Sequence, residues 1–366
     1  MRRGTTVTTL VSVGALVALA LSGCEGAPEA PSSGELGAND FLACAVSDLT
    51  GFKDKDFNEL TYNGVQAAVD ELGAKIASAE SSSEDQYAGN ISALVGEGCD
   101  LIVTVGFALA NATRDAAKVE TDVDFALIDS TVSNDDFSPL ELDNVKPVLF
   151  DTAQAAALAG YLAAGATKTG TVGTFGGMPF PSVTVFMDGF ADGVAHYNTV
   201  HGTSVKLVGW DKATQNGVFV GSFDDQNQAK TITEGMLDQG VDIVMPVAGT
   251  LFKASIQAML DHNVDGAIIG VNSDAYVSAP EFQSYYLTSV LKNLTRAAQE
   301  VTLATAKGEF DNTPYVGTLA NDGVGIAPTH DWEAKLDPKL LDEVQQLQAD
   351  IISGAFKVES LSSPQG

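Results

Sequence analysis

Two adjacent residues, Phe57 and Asn58, carry the chemistry of a site for a flat, hydrogen-bonding molecule: an aromatic face beside a planar amide. They lie within residues 48–73, DLTGFKDKDFNELTYNGVQAAVDELG. The run before them, 41–47 (FLACAVS), is short and apolar, as a strand buried on both faces requires. After them Val65, Ala68, Val69 and Leu72 repeat at i, i+3, i+4, i+7, the apolar face of a helix. Asp56 and Glu59 are spaced as a capping box, with Asp56 accepting an orphan N–H and Glu59 reaching back. This spacing puts Phe57 and Asn58 in the first helical turn at the carboxyl end of a strand, where open α/β sheets bind ligands. The same position also suits a core Phe or a hydrophobic staple. From this stretch alone both readings stand.

The elements that would position such a site recur along the chain. Apolar, β-rich runs predict strands at 41–47, 75–79, 101–105, 125–128 and 145–150, then at 171–175, 205–210, 243–247, 267–271 and 286–288. Helical patterns lie between them, at 58–72, 85–96, 108–120, 153–166, 183–197, 226–239, 253–262 and 290–307, with a last one at 338–352. Strand alternating with helix predicts an α/β fold with parallel sheets and helices on both faces. The series runs twice, with a break near Asp151, so two similar lobes are expected rather than one sheet. Several predicted strand ends carry polar or glycine residues: Asp48; Gly106 and Phe107; Asp129; Gly249, with Phe252 beyond; Asn272 and Asp274. Each alone reads as a turn or a cap. Together they mark one edge of each lobe, and two facing edges make a cleft.

The amino terminus predicts a secretory signal at 1–23: Arg2 and Arg3, an apolar run at 10–21 too short to span a bilayer, then Leu21-Ser22-Gly23-Cys24. LSGC resembles the lipobox of bacterial lipoproteins, which implies cleavage before Cys24 and lipidation there. Residues 24–39, rich in Pro, Ser, Gly and Ala, are expected to be a tether. With Cys24 acylated, Cys44 and Cys99 remain. Outside the membrane an even remainder suggests a disulfide, and the predicted first and third strands are neighbours in the usual order of such sheets. Two buried free thiols are the other possibility. The formal charge of −29 argues against nucleic acid and anionic head groups as partners.

Enzyme signatures do not occur. The four His have no metal spacing, and there is no GxSxG, GxGxxG or GxxxxGK. Asp54 and Asp56 are interrupted by Lys53 and Lys55 and lack the glycine of a calcium loop. No catalysis, metal or cofactor is expected.

The chain resembles the basic membrane protein family, purine-nucleoside-binding lipoproteins that serve ABC importers. GFKDKDFNELTYNGVQ is similar to the family's G-F-D-D-K-S-F-N-Q…G stretch, and CDLIVTVGF, FALID, the NVKPVLFDTAQAAALAGYLAA run, VGTFGG with FMDGFADGV, DIVMPVAG, IIGVNSDAY and LTSVLKNL extend the likeness over nearly the whole mature chain. The resemblance implies a periplasmic-binding-protein fold of type I with three crossings. The lobes would be 40–150 plus 289–310, and 151–288 plus 311–366, closing on a nucleoside. It implies that Phe57 stacks on the base with Asn58 beside it, that Asp274 and Lys292 bind ribose hydroxyls, and that Asp129 and Gly106 line the pocket. A vicinal diol donates to a carboxylate and accepts from an ammonium, so the pair is chemically apt. A permease partner, an otherwise monomeric chain and an extracytoplasmic, lipid-anchored location at the cell membrane also follow from the resemblance.

Four residues depart from the family motifs. Lys53 replaces Asp, Asp56 replaces Ser, Glu59 replaces Gln, and Asn272 replaces the first Asp of G-V-D-x-D-Q. Phe252 falls where the family is glycine-rich, so it either supplies a second stacking ring or fills the space. A sugar or another small polar solute in the same cleft is the alternative ligand. A nucleoside hydrolase would need a base or metal site that the sequence lacks. A regulator would need a helix-turn-helix before residue 40, where the signal and tether lie.

Overall fold

A computed structural model describes residues 40–136 and 138–364. The predicted signal, tether and Cys24 lie outside the described residues. The first series of elements is β1 (Leu42–Val46), α1 (Phe57–Leu72), β2 (Lys75–Ala79), α2 (Tyr87–Glu97), β3 (Leu101–Val105), α3 (Ala110–Val119), β4 (Asp124–Ile128) and β5 (Val145–Phe150). The second is α4 (Thr152–Ala166), β6 (Thr171–Gly176), α5 (Pro181–His201), β7 (Lys206–Val208), β8 (Trp210–Asp211), β9 (Asn216–Gly217), α6 (Gln226–Leu237), β10 (Ile243–Val247), α7 (Phe252–His262), β11 (Ala267–Asn272), α8 (Ala275–Ser278) and β12 (Tyr286–Lys292). The chain ends with α9 (Leu294–Ala306), β13 (Tyr315–Gly317), β14 (Val324–Ile326) and α10 (Pro338–Ser353).

Two six-stranded sheets result. Their orders are β13-β5-β4-β3-β1-β2 and β14-β12-β11-β10-β6-β7, and β8 with β9 forms a small hairpin. Both large sheets are parallel except for the antiparallel edge strand β14. The central strands β3 and β10 are buried at every position, which explains their unbroken apolar runs. Hydrophobic burial of these strands against helices on either face drives each lobe.

The strand pairings move the expected lobe boundaries. Residues 289–292 were expected in the first lobe, but β12 continues through Lys292 between β11 and β14. Val290, Leu291 and Lys292 read as helix because they run into the helical pattern that follows. Asn293 stops that: its side chain accepts from the Arg296 N–H and caps α9. The return crossing also comes later than residue 310, because β13 pairs with β5 in the first sheet. The first lobe therefore takes α9 and β13, and the second regains the chain at β14. Helix α9 lies tightly on α1: a Cβ at Gly64 would stand 2.2 Å from the Thr295 carbonyl oxygen, so only glycine permits the approach.

Cys44 and Cys99 are joined by a disulfide, with Cα atoms 6.0 Å apart. It ties β1 to the turn entering β3, the two strands whose carboxyl ends carry Asp48 and Gly106.

Candidate functional site

The loop from β1 to α1 is built around one buried amide. Asn58 Nδ2 donates to Asp48 Oδ1 at 2.8 Å, Thr50 Oγ1 at 2.8 Å and Asp54 Oδ2 at 3.1 Å, while its Oδ1 accepts the Asp48 N–H at 3.1 Å. With no exposed surface, Asn58 does not line the cleft; it holds the loop that does. The helix start also differs from the expected capping box. Asp54, not Asp56, takes the orphan donors, accepting from the N–H groups of Asp56, Asn58 and Glu59 at 2.9–3.0 Å. Glu59 does reach back, to the N–H of Lys55 at 3.0 Å. Asp56 is thereby released from capping and turns into the cleft.

Between the lobes lies a cavity of about 340 Å³, within the range of small-molecule sites. Of the expected residues Asp48, Phe57, Gly106, Phe107, Asp129, Gly249, Asn272 and Lys292 line it. Gly106 has φ 101°, a conformation that favours glycine, and a Cβ there would meet the Phe57 ring and Asp48 Oδ2 at ordinary contact distance. Lys292, the last residue of β12, crosses to the first lobe and donates from Nζ to Asp129 Oδ2. Its ammonium also stands 4.9 Å from the centre of the Phe186 ring, 5.6 Å from Phe57 and 5.8 Å from Phe150. These are cation–π distances in a dry setting.

A second link joins the lobes. Asn272 Nδ2 donates to Asp56 Oδ2 at 2.9 Å, while Asp56 Oδ1 is buried without a hydrogen-bond partner. Burial pushes the Asp56 carboxyl up to about 7, with Asn272 pulling it down and Asp54 adding to the rise. Burial likewise raises Asp48, against hydrogen bonds from Thr50 and Asn58, and raises Asp129, against the Lys292 ammonium. The first-lobe wall is thus dense in carboxylates that water solvates poorly.

The second-lobe wall carries Met178, Phe180, Val183, Phe186, Phe223 and Val247 beside the polar Ser182, Ser222, Asp224 and Thr250. Phe180 stacks on Phe107 across the cleft at 4.5 Å between centroids and approaches Phe223 at 6.1 Å. The sequence reading missed Phe180, Phe186 and Phe223. Phe180 and Phe186 had a findable signal, since they follow the Gly176-Gly177 strand end and open α5. Phe223 sits on a loop with no periodic pattern to mark it.

Two expected site residues lie elsewhere. Phe252 opens α7 but packs inward, edge-on to Tyr286 at 5.7 Å and nearly fully buried, so it neither stacks in the cleft nor narrows it. The turn at Gly249–Leu251 rotates it behind the strand edge. Asp274 caps α8, accepting the Tyr276 N–H at 3.1 Å, and its Oδ2 pairs with His330 Nε2 at 2.8 Å. Its two oxygens are engaged within the second lobe, and it does not line the cleft.

Among the described residues, no group of three or more His, Cys, Asp or Glu side chains could hold a metal ion, and no helix is long and apolar enough to cross a membrane.

Comparison with known proteins agrees with this architecture. The family model described as "ABC transporter substrate-binding protein PnrA-like" matches residues 41–361. The chain is 27% identical to the "ABC transporter nucleoside-binding protein BmpA" of Lactococcus lactis subsp. cremoris, over 96% of this chain and 98% of that protein. It is 29% identical to "Basic membrane protein A" of Borreliella burgdorferi, over 89% of this chain and 90% of that protein. Among solved structures, an ABC transporter solute-binding protein from Aeropyrum pernix K1 superposes with a TM-score of 0.76 at 24% identity, covering 89% of this chain and 94% of that one. Another, from Conexibacter woesei, gives a TM-score of 0.65 at 18% identity, covering 88% and 100%. These two likenesses establish the fold: two parallel-sheet lobes of the type I periplasmic-binding-protein kind.

Proposed function

Because this chain belongs to the family of PnrA-like ABC transporter substrate-binding proteins, we propose that its cleft binds a purine nucleoside and delivers it to a membrane permease. The observation that carries this reading is the division of the cavity around Phe57. Its ring lines the pocket beside Gly106, and the Lys292–Asp129 pair stands next to it. A base needs an aromatic face, and a ribose needs acceptors and a cation; both lie within one cavity of nucleoside size. Phe57 stacks on the base, with Asp48 at its edge. Lys292 and Asp129 meet the ribose. Asp274, engaged by α8 and His330, takes no part, and Asn58 acts through the loop that it holds.

The carboxylates Asp48, Asp54, Asp56 and Asp129 outnumber Lys292 as cleft-lining charges. Such a wall repels a phosphate, so the ligand is a nucleoside and not a nucleotide. A free sugar would use the carboxylates and Lys292 but would make no use of the Phe57 ring face. In this reading Cys24 carries the lipid that anchors the protein to the extracytoplasmic face of the cell membrane. The protein acts as a monomer without catalysis or cofactor.

Titration calorimetry on residues 40–366 with guanosine, adenosine, inosine, cytidine, uridine and ribose tests the assignment. Purine nucleosides should bind, and Phe57→Ala should cost about 1–3 kcal/mol of affinity. Binding of ribose alone, or an unchanged affinity in Phe57→Ala, would remove the ring from the site and the nucleoside from the account.

A further inference from the structure

Among the described residues, two side chains that line the cleft carry a buried polar atom without a hydrogen-bond partner, the hydroxyl of Tyr87 and Oδ1 of Asp56, and of these Asp56 is the one that also links the two lobes. Asp56 is buried, its Oδ2 accepts from Asn272 of the opposite lobe, and its Oδ1 has no donor. A buried acceptor left unpaired is costly, and a partner supplied on binding recovers that cost. Asp54 carries the capping that Asp56 was expected to do, so nothing in the helix requires an acid at position 56. The two linked positions also depart from the resembled motif in complementary senses: an acid in place of Ser at 56, an amide in place of Asp at 272.

We propose that Asp56 is a specificity-determining residue of this cleft: its Oδ1 accepts a hydrogen bond from a ribose hydroxyl of the bound nucleoside while its Oδ2 keeps Asn272. One carboxylate then reads the sugar and ties the lobes together. The assignment rests on the nucleoside reading given above. Lys292, which attracts the same carboxylate, supplies the complementary donor to the diol.

The groups facing Asp56 are Asp54 on its own loop, Asn272 and Ser273 at the end of β11, Lys292 at the end of β12 with its partner Asp129, and the turn at Gly249. Ser273 lies close enough to pull the carboxyl down, yet no donor reaches Oδ1 in hydrogen-bond geometry. With desolvation holding the carboxyl up near 7, protonation competes with the ligand hydroxyl for the same oxygen. The bound hydroxyl favours the ionised form, so affinity is full above that pH and is lost as pH falls through it.

The test is calorimetry with guanosine, 2′-deoxyguanosine and 3′-deoxyguanosine at pH 6 and pH 8, on the natural chain and on Asp56→Asn. Guanosine should bind the natural chain about tenfold more weakly at pH 6 than at pH 8. At pH 8 one deoxy analogue should bind roughly tenfold or more below guanosine. Asp56→Asn should bind guanosine more weakly, with a flat pH profile and without discrimination against that analogue. A flat profile in the natural chain, or an unchanged profile and discrimination in Asp56→Asn, would overturn the proposal while leaving nucleoside binding intact. Absence of any nucleoside binding at either pH would instead defeat the underlying reading, and this one with it. Asn272→Asp provides a second arm. An added acid beside Asp56 should move the pH midpoint upward, and an unmoved midpoint would count against Asp56 as the titrating acceptor.

Discussion

In the first lobe β4 is followed by Asp129, at φ 63°; in the second β11 ends on Asn272, at φ 64°. The two sheets have the same relative strand order, and these residues occupy matching places in them. Each reaches the opposite lobe. Asp129 meets the Lys292 ammonium, and Asn272 meets the Asp56 carboxyl. The same left-handed turn thus delivers a charge on one side and an amide on the other. The difference extends to the charge of the walls: the first lobe lines the cleft with Asp48, Asp54, Asp56, Glu84 and Asp129, the second with Asp224 and the Lys292 ammonium, while both contribute aromatic rings. A repeated backbone fixes where side chains converge, but it leaves their chemistry free. In the function proposed above, the carboxylates of the first-lobe edge meet the polar half of the ligand.

The sharpest way to break this comparison is to shorten both residues. Asp129→Ala strands the Lys292 ammonium, whose side chain is only 3% exposed, and should cost about 3–5 kcal/mol of stability. Asn272→Ala removes a single hydrogen bond to a carboxyl that can take up a proton, and should cost about 1–3 kcal/mol. Urea unfolding at neutral pH measures both. Equal losses would mean that the ion pair and the amide link are energetically alike, and the contrast between the lobes would fail.

A smaller effect separates the two phenylalanines at helix starts. Phe57 opens α1 in the cleft, whereas Phe252 opens α7 against Tyr286. Phe252→Leu should lower stability by about 1 kcal/mol and leave guanosine affinity unchanged. A loss of affinity approaching that of Phe57→Ala would return Phe252 to the site.

Most of the architecture was legible because strand and helix periods alternate clearly, and buried parallel strands such as β3 and β10 read as unbroken apolar runs. The late strands escaped. β13 and β14 have three residues each, too few to show a period, and the end of β12 merged with the helix that follows. Among the residues that line the cavity, Phe57, Asp129 and Lys292 were legible because strand ends and motif likeness mark them. The turn of Asp56 into the cleft was hidden because a capping box can be filled by either of two nearby acids, and only the loop conformation shows that Asp54 fills it. Asp274 and Phe252 were misplaced for the same kind of reason: position after a strand does not fix which way a side chain turns once a short helix or turn intervenes.

The central claim is that a nucleoside lies with its ribose on the acidic first-lobe edge and its base among the rings. A crystal structure of residues 40–366 with guanosine tests it most directly. The account predicts the base stacked on Phe57, with its ribose hydroxyls in hydrogen-bond contact with Lys292 and Asp56. A base turned toward Lys292 and Asn272, with the ribose against Phe180 and Phe223, would contradict it.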